Sequence, residues 1–293
     1  MLGTAAYASA DSCTALVLSG GGANGAWESG VLWGMVNYGN PDDFAYDVVS
    51  GISAGAINTL ALAGFETGKE KEAAQWLSDL WKNLKTSEVW QNWTLSIAEG
   101  LTMKGGLLDN SPLSKKLKDV SSTFTSYGRR VTLGAGDVNS GEFHVFTQKN
   151  VAINELYRAA VASASIPAVF PPYNWEGVGL FMDGGTINNV NIQGAIDQCL
   201  EMVNDESKIT VDVFICGDQK GTVESEEKVG ATISNYMRNR NIHSANSGEN
   251  DLKSDVAAHP KVNFRYLVYE TIGHAGGLSE LTFDGDKTWP MQT

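Results

Sequence analysis

Two short apolar runs near the start of the chain are each followed by a glycine-containing turn and then by a helix-like segment. Residues 14–18 predict a buried strand that ends at the glycines of residues 20–22, and residues 46–50 predict a second strand. A helix is predicted after each turn, the second over residues 56–65. One face of the first helix would carry Trp27, Val31, Met35 and Tyr38. A strand–turn–helix unit that occurs twice favours a parallel α/β sheet.

The clearest amphipathic helix covers residues 69–85. Its apolar residues recur at the spacing of one helical face, and they are Ala73, Trp76, Leu77, Leu80, Trp81 and Leu84. We expect this face to pack in the core. Residues 90–108 are also rich in apolar side chains but have no clear period, so they could form a cap over a site or an interfacial loop. Packing beneath a loop is the interpretation we favour.

More strands and a further helix are predicted from residue 130 onward. The predicted strands are residues 130–135, 143–147, 179–182, 209–215 and 264–269, and the predicted helix is residues 153–163. Residues 218–260 are polar and rich in Glu, Asn and Ser, which indicates a surface insertion with one helix. The chain has no internal repeat and no Pro-rich linker, so we expect one domain over residues 14–293, preceded by an N-terminal segment of residues 1–13.

Composition and charge narrow the classes of function. The chain has 293 residues, of which 42% are hydrophobic and 19% charged, and its formal net charge is −13. This sign of charge argues against binding nucleic acid, or strongly anionic membranes, through bulk electrostatics. The apolar stretches are shorter than the roughly 20 residues that a membrane-spanning helix needs.

The cysteines and the first residues bear on the cellular compartment. Cys13, Cys199 and Cys216 lack the spacing of metal ligands, so buried thiols or a single disulfide are the alternatives. Residues 2–10 resemble the small-residue end of a signal peptide, although the basic region and the long apolar run of such a peptide are missing. Secretion or an endomembrane lumen and, alternatively, the cytoplasm therefore stay open. We expect no metal and no cofactor.

Residues 51–55 (Gly-Ile-Ser-Ala-Gly) fit the pattern G-x-S-x-G, between a predicted strand and a predicted helix. In this pattern the serine occupies a sharp strand-to-helix turn, and the glycines leave space around it. The helix that follows points its N-terminus at the reacting centre, where it favours negative charge. Ser53 is therefore a candidate nucleophile.

A glycine-rich loop, residues 20–25 (Gly-Gly-Gly-Ala-Asn-Gly), follows the first strand. Successive backbone N–H groups in such a loop can bind an anion. The P-loop pattern is absent, but a dinucleotide-binding G-x-G-x-x-G can be traced here, with Asp42, Asp43 or Asp47 as its acidic partner. We favour an oxyanion hole beside the candidate nucleophile, because it explains both motifs together.

A third motif, Asp183-Gly184-Gly185, places a carboxylate at the end of a predicted strand. Active sites of α/β sheets gather at such strand ends. Taken alone, however, Asp-Gly is a common turn. Only its place after the two other motifs makes Asp183 a candidate catalytic residue.

In this order, the glycine loop, the G-x-S-x-G turn and the distant Asp-Gly-Gly resemble the patatin-like phospholipase family. Residues 106–113, 162–172 and 183–189 also resemble segments of that family, and the resemblance covers roughly residues 14–216. It implies a three-layer α/β/α fold with a mostly parallel sheet and helices on both faces. It also implies hydrolysis of acyl esters of lipids, with a lipid ester as substrate, transient contact with a membrane or micelle, and no nucleic acid partner.

The resemblance assigns roles residue by residue. Ser53 would be the nucleophile and Asp183 its base in a Ser-Asp dyad. The oxyanion hole would be formed by backbone N–H groups of Gly20, Gly21, Gly22 and Ala54.

Two positions depart from the family pattern. Asn24 stands where the family usually has a basic residue, which would lower activity or change the head-group preference. Val190 stands where a proline usually follows the Asn-Asn pair, and we expect only a variation of the turn there.

Other functions remain open at the level of sequence. A Ser-His-Asp triad would satisfy the order Ser…Asp…His with His243, His259 or His274, although the glycine loop lacks the histidine of the HGGG type. His144 lies in a predicted strand, where a structural role is expected. A non-catalytic storage or binding member of the family and a nucleotide-binding module are further alternatives. The lipid class and the acyl position that is cut do not follow from the sequence.

Overall fold

The computed structural model describes residues 10–94, 99–216, 232–271 and 277–293. The strands are β1 (Cys13–Leu18), β2 (Val48–Gly51), β3 (Arg130–Asp137), β4 (Phe143–Thr147), β5 (Tyr173–Trp175), β6 (Gly179–Asp183), β7 (Ile209–Ile215) and β8 (Asn263–Tyr269). The α-helices are α1 (Gly25–Tyr38), α2 (Ala54–Leu62), α3 (Glu70–Asn83), α4 (Ser111–Ser122), α5 (Leu156–Ser163), α6 (Ile192–Val203), α7 (Thr232–Ala258) and α8 (Gly285–Thr288).

All of these strands belong to one sheet in the order β5-β6-β3-β2-β1-β7-β8, with β4 pairing to β3. The run β3-β2-β1-β7-β8 is parallel throughout. Strands β4 and β6 pair antiparallel to β3, and β5 pairs antiparallel to β6. The sheet is therefore mostly parallel, as the sequence predicts, with an antiparallel end.

Helices cover both faces of the sheet, which gives a three-layer α/β/α fold. Alternate residues of β1 point to opposite faces, as strand geometry requires. Leu16 and Leu18 belong to the core beneath α1 to α5, whereas Ala15 and Val17 belong to a second core beneath α6 and α7. Because β1 is buried on both faces, its sequence is a continuous apolar run rather than an alternating one.

The face predicted for the first helix is confirmed only in part. Tyr38 is 86% exposed, whereas Ala26, Leu32 and Val36 of the same helix are buried. Trp27, Val31 and Met35 are only partly buried against the core. The large side chains of α1 are a poor guide to its buried face because small residues and the carboxyl-bearing Glu28 are buried on this helix instead.

The structure decides between the alternatives for the cysteines. Cys13 of β1 and Cys199 of α6 form a disulfide, with their Cα atoms 5.6 Å apart. Cys216 is a buried free thiol. Disulfides are typical of proteins from oxidising compartments.

The polar segment 218–260 contains the long helix α7, and residues 217–231 lie outside the described part of the chain. Near its start, α7 packs Met237 into an apolar cluster with Ile166 and Phe170. The Tyr236 hydroxyl donates to the Pro167 carbonyl at 2.8 Å. This end of α7 is therefore attached to the loop that precedes β5, rather than projecting into solvent.

Of residues 90–108, the structure describes all but 95–98. Trp90 packs against the same apolar cluster as Met237, and its indole N–H donates to the Leu281 carbonyl at 2.7 Å. Met103, by contrast, is strongly exposed. Part of the segment thus packs beneath neighbouring chain and part faces solvent. None of the helices in the described ranges combines the length and apolar character needed to cross a membrane.

Candidate active site

Ser53 lies in a strained turn between β2 and α2. Its backbone has φ 52° and ψ −116°, a conformation that non-glycine residues rarely adopt. Its N–H group donates to the Ser163 hydroxyl at 2.8 Å. Gly51 is required before the turn because a Cβ atom there would lie 2.1 Å from the Gly55 carbonyl oxygen. The glycines of the G-x-S-x-G pattern thus allow the chain to fold back on itself around the serine.

The Ser53 hydroxyl donates a hydrogen bond to Asp183 Oδ2 at 2.7 Å. The other carboxylate oxygen, Oδ1, accepts the Gly185 N–H at 2.8 Å, and the Asp183 N–H donates to the Ser165 carbonyl at 2.8 Å. Both side chains are almost fully buried, since Ser53 is 2% and Asp183 0% exposed. The structure therefore brings together two residues that are 130 positions apart in sequence.

The segment 162–172 resembles a segment of the family in sequence. In the structure it accepts the backbone N–H groups of both Ser53 and Asp183. Ser163 ends α5 and accepts the N–H group of Ser53, and Ser165 follows two residues later and accepts that of Asp183. One short stretch of chain therefore fixes the backbones of both candidate residues.

Burial raises the pKa of Asp183, because the charged carboxylate loses its hydration. Three contacts act in the opposite direction: the positive charge of Arg240, the hydrogen bond from Ser53 and the hydrogen bond from the Gly185 N–H. The net pKa of Asp183 lies above its usual value. A carboxylate with a raised pKa is a stronger proton acceptor once it is ionised.

The glycine loop runs past this pair. Gly22 has a φ of +57°, and a Cβ atom there would lie 2.7 Å from the Glu280 carbonyl oxygen, so only glycine fits. The N–H group of Gly20 donates to the Asn189 carbonyl at 3.4 Å, and the Gly20 carbonyl accepts the Asn189 side-chain amide at 3.2 Å. Gly20 is therefore held by Asn189, and its N–H, expected from the sequence to be an oxyanion donor, already has the Asn189 carbonyl as a partner.

Gly21, Gly22 and Ala54 are the other residues expected to supply oxyanion donors. Ala54 is the first residue of α2, and the first N–H groups of a helix have no partner inside it. Gly21 and Gly22 lie where the loop enters a 3₁₀ turn (Gly22–Asn24) that leads into α1. These three N–H groups come from the two segments that follow β1 and β2, which are neighbours in the sheet.

The two departures from the family pattern have distinct structural settings. Asn24 is buried, and its carbonyl accepts the Cys216 thiol at 3.3 Å. Val190 is buried too, and its N–H donates to the Asn188 side chain at 2.9 Å. A proline could not make that bond, so the side-chain hydrogen bond closes the turn here instead.

Arg240 is a basic residue at this site that no sequence motif indicates. Arg240 belongs to α7, and its Nη2 atom lies 3.7 Å from Asp183 Oδ2, while Nη1 lies 3.8 Å from Glu280 Oε2. It lies in a polar segment without a recognisable motif, 57 residues after Asp183. Only the folded position of α7 reveals it.

The described histidines make their contacts elsewhere. His144 lies in β4 and packs against the rings of Phe146 and Phe181. His259 contacts Glu206 and Gln193 at 2.8 Å each, and His243 is exposed on α7. His274 lies outside the described residues. Within the described ranges, no group of three or more His, Cys, Asp or Glu side chains is arranged to hold a metal ion.

Comparison with known proteins finds one family model, described as patatin-like phospholipase, that matches residues 16–196. The curated relative "Patatin-like phospholipase domain-containing protein 7" of Rattus norvegicus is 30% identical over 182 residues. This match covers 60% of the present chain but only 12% of the length of the relative.

Two solved structures also resemble the chain. VipD from Legionella pneumophila is 12% identical, with 97% of this chain and 67% of that chain covered and a TM-score of 0.40. The complex of SpcU with ExoU from the type III secretion system of Pseudomonas aeruginosa gives 17% identity, 85% and 52% coverage, and a TM-score of 0.33.

Proposed function

The chain belongs to the patatin-like phospholipase family, and we propose that it is a lipid acyl hydrolase in which Ser53 is the nucleophile and Asp183 the only side chain that activates it. The matched region, residues 16–196, contains both residues and the glycine loop. The substrate in this proposal is a carboxylic ester of a lipid, and the reaction proceeds through an acyl-enzyme intermediate.

The observation that carries the proposal is the 2.7 Å hydrogen bond from the Ser53 hydroxyl to Asp183 Oδ2. A general base must lie within hydrogen-bond reach of the proton that it removes, and this distance meets that requirement. The strained backbone of Ser53 supports the same role, because such turns hold a nucleophile at the end of a strand and the start of a helix.

In the first half-reaction, the Ser53 oxygen attacks the acyl carbonyl carbon while Asp183 accepts the hydroxyl proton. The carbonyl oxygen becomes an oxyanion, which we assign to the N–H groups of Gly21, Gly22 and Ala54. Partial positive charge at the N-terminus of α2 adds to this stabilisation. The tetrahedral intermediate then collapses, the bond to the alcohol breaks, and Asp183 returns the proton to the leaving oxygen.

In the second half-reaction, a water molecule takes the place of the alcohol. Asp183 removes a proton from this water, and the resulting hydroxide attacks the acyl-enzyme. Collapse of the second tetrahedral intermediate releases the fatty acid, and the proton returns from Asp183 to Ser53. One carboxylate therefore serves as base and acid in turn, and no histidine is needed.

Labelling with a fluorophosphonate probe tests the assignment, because the probe reacts covalently with activated serines. We expect the wild type to be labelled and Ser53→Ala not to be, while Ser87→Ala, at an exposed serine, keeps full labelling. Asp183→Asn should label very slowly, since an amide cannot accept the proton. Labelling of Ser53→Ala at another serine would contradict the assignment. Panels of phospholipid, galactolipid and neutral lipid would then identify the substrate class.

A further inference from the structure

We propose that Arg240 is a positioning residue that holds Asp183 as a carboxylate directed at Ser53. This inference rests on the proposed function, because it presupposes that Asp183 is the base. Arg240 itself touches neither the serine nor, in this proposal, the lipid.

The geometry around Asp183 Oδ2 carries the inference. This oxygen accepts the Ser53 hydroxyl at 2.7 Å and lies 3.7 Å from Arg240 Nη2. The same guanidinium reaches Glu280 Oε2 at 3.8 Å with its other terminal nitrogen. Arg240 thus lies between two buried carboxyl groups and acts on the oxygen that must take the proton.

The position of Arg240 is fixed by its helix. Arg240 is four residues after Tyr236 and three after Met237, so on α7 its side chain neighbours both of them. Tyr236 bonds to Pro167, and Met237 is buried among Ile166 and Phe170. These contacts attach the helix beside the site, and the Arg240 side chain is only 14% exposed.

A positive charge is needed here because Asp183 has no exposure to solvent. Burial favours the protonated carboxyl, and a protonated Asp183 cannot accept the Ser53 proton. Both Asp183 and Glu280 are negative neighbours of Arg240, and the positive charge of Arg240 lowers the pKa of Asp183 against the effect of burial.

The other groups around Asp183 do not supply this charge. The Ser53 hydroxyl and the Gly185 N–H donate neutral hydrogen bonds. The Tyr236 phenol of α7 faces Asp183 and Arg240, and its pKa is raised, chiefly by burial, so it stays neutral. His144 lies across β3, with Ala135 between it and Asp183 in the strand pairing. Arg240 is thus the cation that contacts this carboxyl among the described residues.

The test is the pH dependence of kcat/KM for a soluble uncharged ester, between pH of about 5.5 and 8.5. Arg240→Gln should lower kcat/KM at least about tenfold at the acidic end, with the loss shrinking to a few-fold at the alkaline end, where Asp183 ionises without help. The loss should appear in kcat rather than KM. Arg240→Lys, which keeps the charge, should recover most of the activity, and Arg238→Gln on the same helix should match the wild type at every pH.

A second variant should not lose kcat/KM at the acidic end, in contrast to Arg240→Gln. Glu280→Gln removes the competing negative charge beside Arg240, so its kcat/KM at the acidic end should be at least equal to that of the wild type. This variant keeps the proposal testable if Arg240→Gln does not fold, which thermal unfolding would show. A fall at the acidic end in Glu280→Gln would overturn the proposal.

Two results with Arg240→Gln would also overturn it. An equal loss at every pH would assign Arg240 a purely structural role. An effect confined to KM for phosphate-bearing lipids, with the soluble ester unaffected, would assign it to head-group binding. Failure of the proposed function has a different signature, namely that Ser53→Ala and Asp183→Asn keep their activity.

Discussion

The Ser163 hydroxyl accepts the backbone N–H of Ser53 at 2.8 Å, and this bond is buried. It holds the strained turn at Ser53 from the end of α5. Ser163→Ala should therefore leave a buried N–H group without a partner, at a cost of about 1–3 kcal/mol in the free energy of unfolding. We expect kcat for a soluble ester to fall about tenfold, because small displacements of reacting groups have large effects on rate.

The matched control for this prediction is Ser165→Ala. The Ser165 hydroxyl is also buried, but it bonds to the Val161 carbonyl and does not contact Ser53. Its removal should leave kcat close to that of the wild type. Equal kcat values for the two variants would contradict a role of Ser163 in holding the turn.

Strain at Ser53 should lower the free energy of unfolding of variants that keep a side chain at this position. A residue with a side chain at φ 52° and ψ −116° is strained, and glycine is not. Ser53→Gly should therefore unfold with a free energy about 1 kcal/mol higher than Ser53→Ala, although we expect neither variant to hydrolyse esters. Chemical denaturation followed by tryptophan fluorescence measures the difference. If Ser53→Gly is the less stable of the two, the turn does not store strain.

Replacing the buried carboxyl of Asp183 should stabilise the protein in a pH-dependent way. Because its pKa is raised on folding, the protonated form is preferred by the native state, so stability is lost as pH rises through the folded-state pKa. Asp183→Asn removes this loss. Its unfolding free energy should exceed that of the wild type at pH of about 8, and the excess should shrink as pH falls toward the unfolded-state value of about 3.9. A constant difference at all pH values would argue against this account.

No histidine should be essential for catalysis. A general base typically contributes roughly 10²–10⁴-fold to the rate, so replacement of each histidine by Gln in turn would expose one. The described histidines, His144, His243 and His259, contact neither Ser53 nor Asp183 in the bonds and ring contacts given above. We expect changes of a few-fold in kcat/KM. A loss of two orders of magnitude in any variant, including His274→Gln, would replace the dyad by a triad.

Net charge should influence which lipid surface the protein prefers. With a formal charge of −13, the protein should bind neutral or zwitterionic vesicles better than strongly anionic ones at low salt. Added salt should reduce the difference, since the screening length falls to about 10 Å at 0.1 M. Vesicle co-sedimentation at two salt concentrations measures this. Tighter binding to anionic vesicles at low salt would show that a local basic patch outweighs the net charge.

The central strands and the strongly periodic helix could be read from the sequence. The apolar run of residues 14–18 lies in β1, and the amphipathic pattern of residues 69–85 coincides closely with α3. Each of these patterns arises from burial, because β1 is buried on both of its faces and α3 is buried on one. Helices α4 and α6 are not among the predicted elements, although each buries an apolar face.

The residues of the candidate site also differ in how clearly the sequence indicates them. Ser53 and Asp183 lie within local motifs whose glycines have a direct steric cause, and sequence alone therefore indicates them. The groups that accept their backbone N–H groups are less visible, because nothing in residues 162–172 specifies which hydroxyl or carbonyl meets which N–H. Arg240 is invisible at that level, since its role depends on the packing of α7 beside Asp183.

The Cys13–Cys199 bond closes a covalent ring that contains Ser53, Asp183 and the whole family-matched region, residues 16–196. A single proteolytic nick inside the ring, for example at the exposed turn of residues 139–141, leaves both fragments linked until a reductant is added. Helix α7 lies outside the ring. A nick between residue 199 and α7 instead breaks the covalent link to the fragment that carries Arg240, while Ser53 and Asp183 remain on one closed loop of chain.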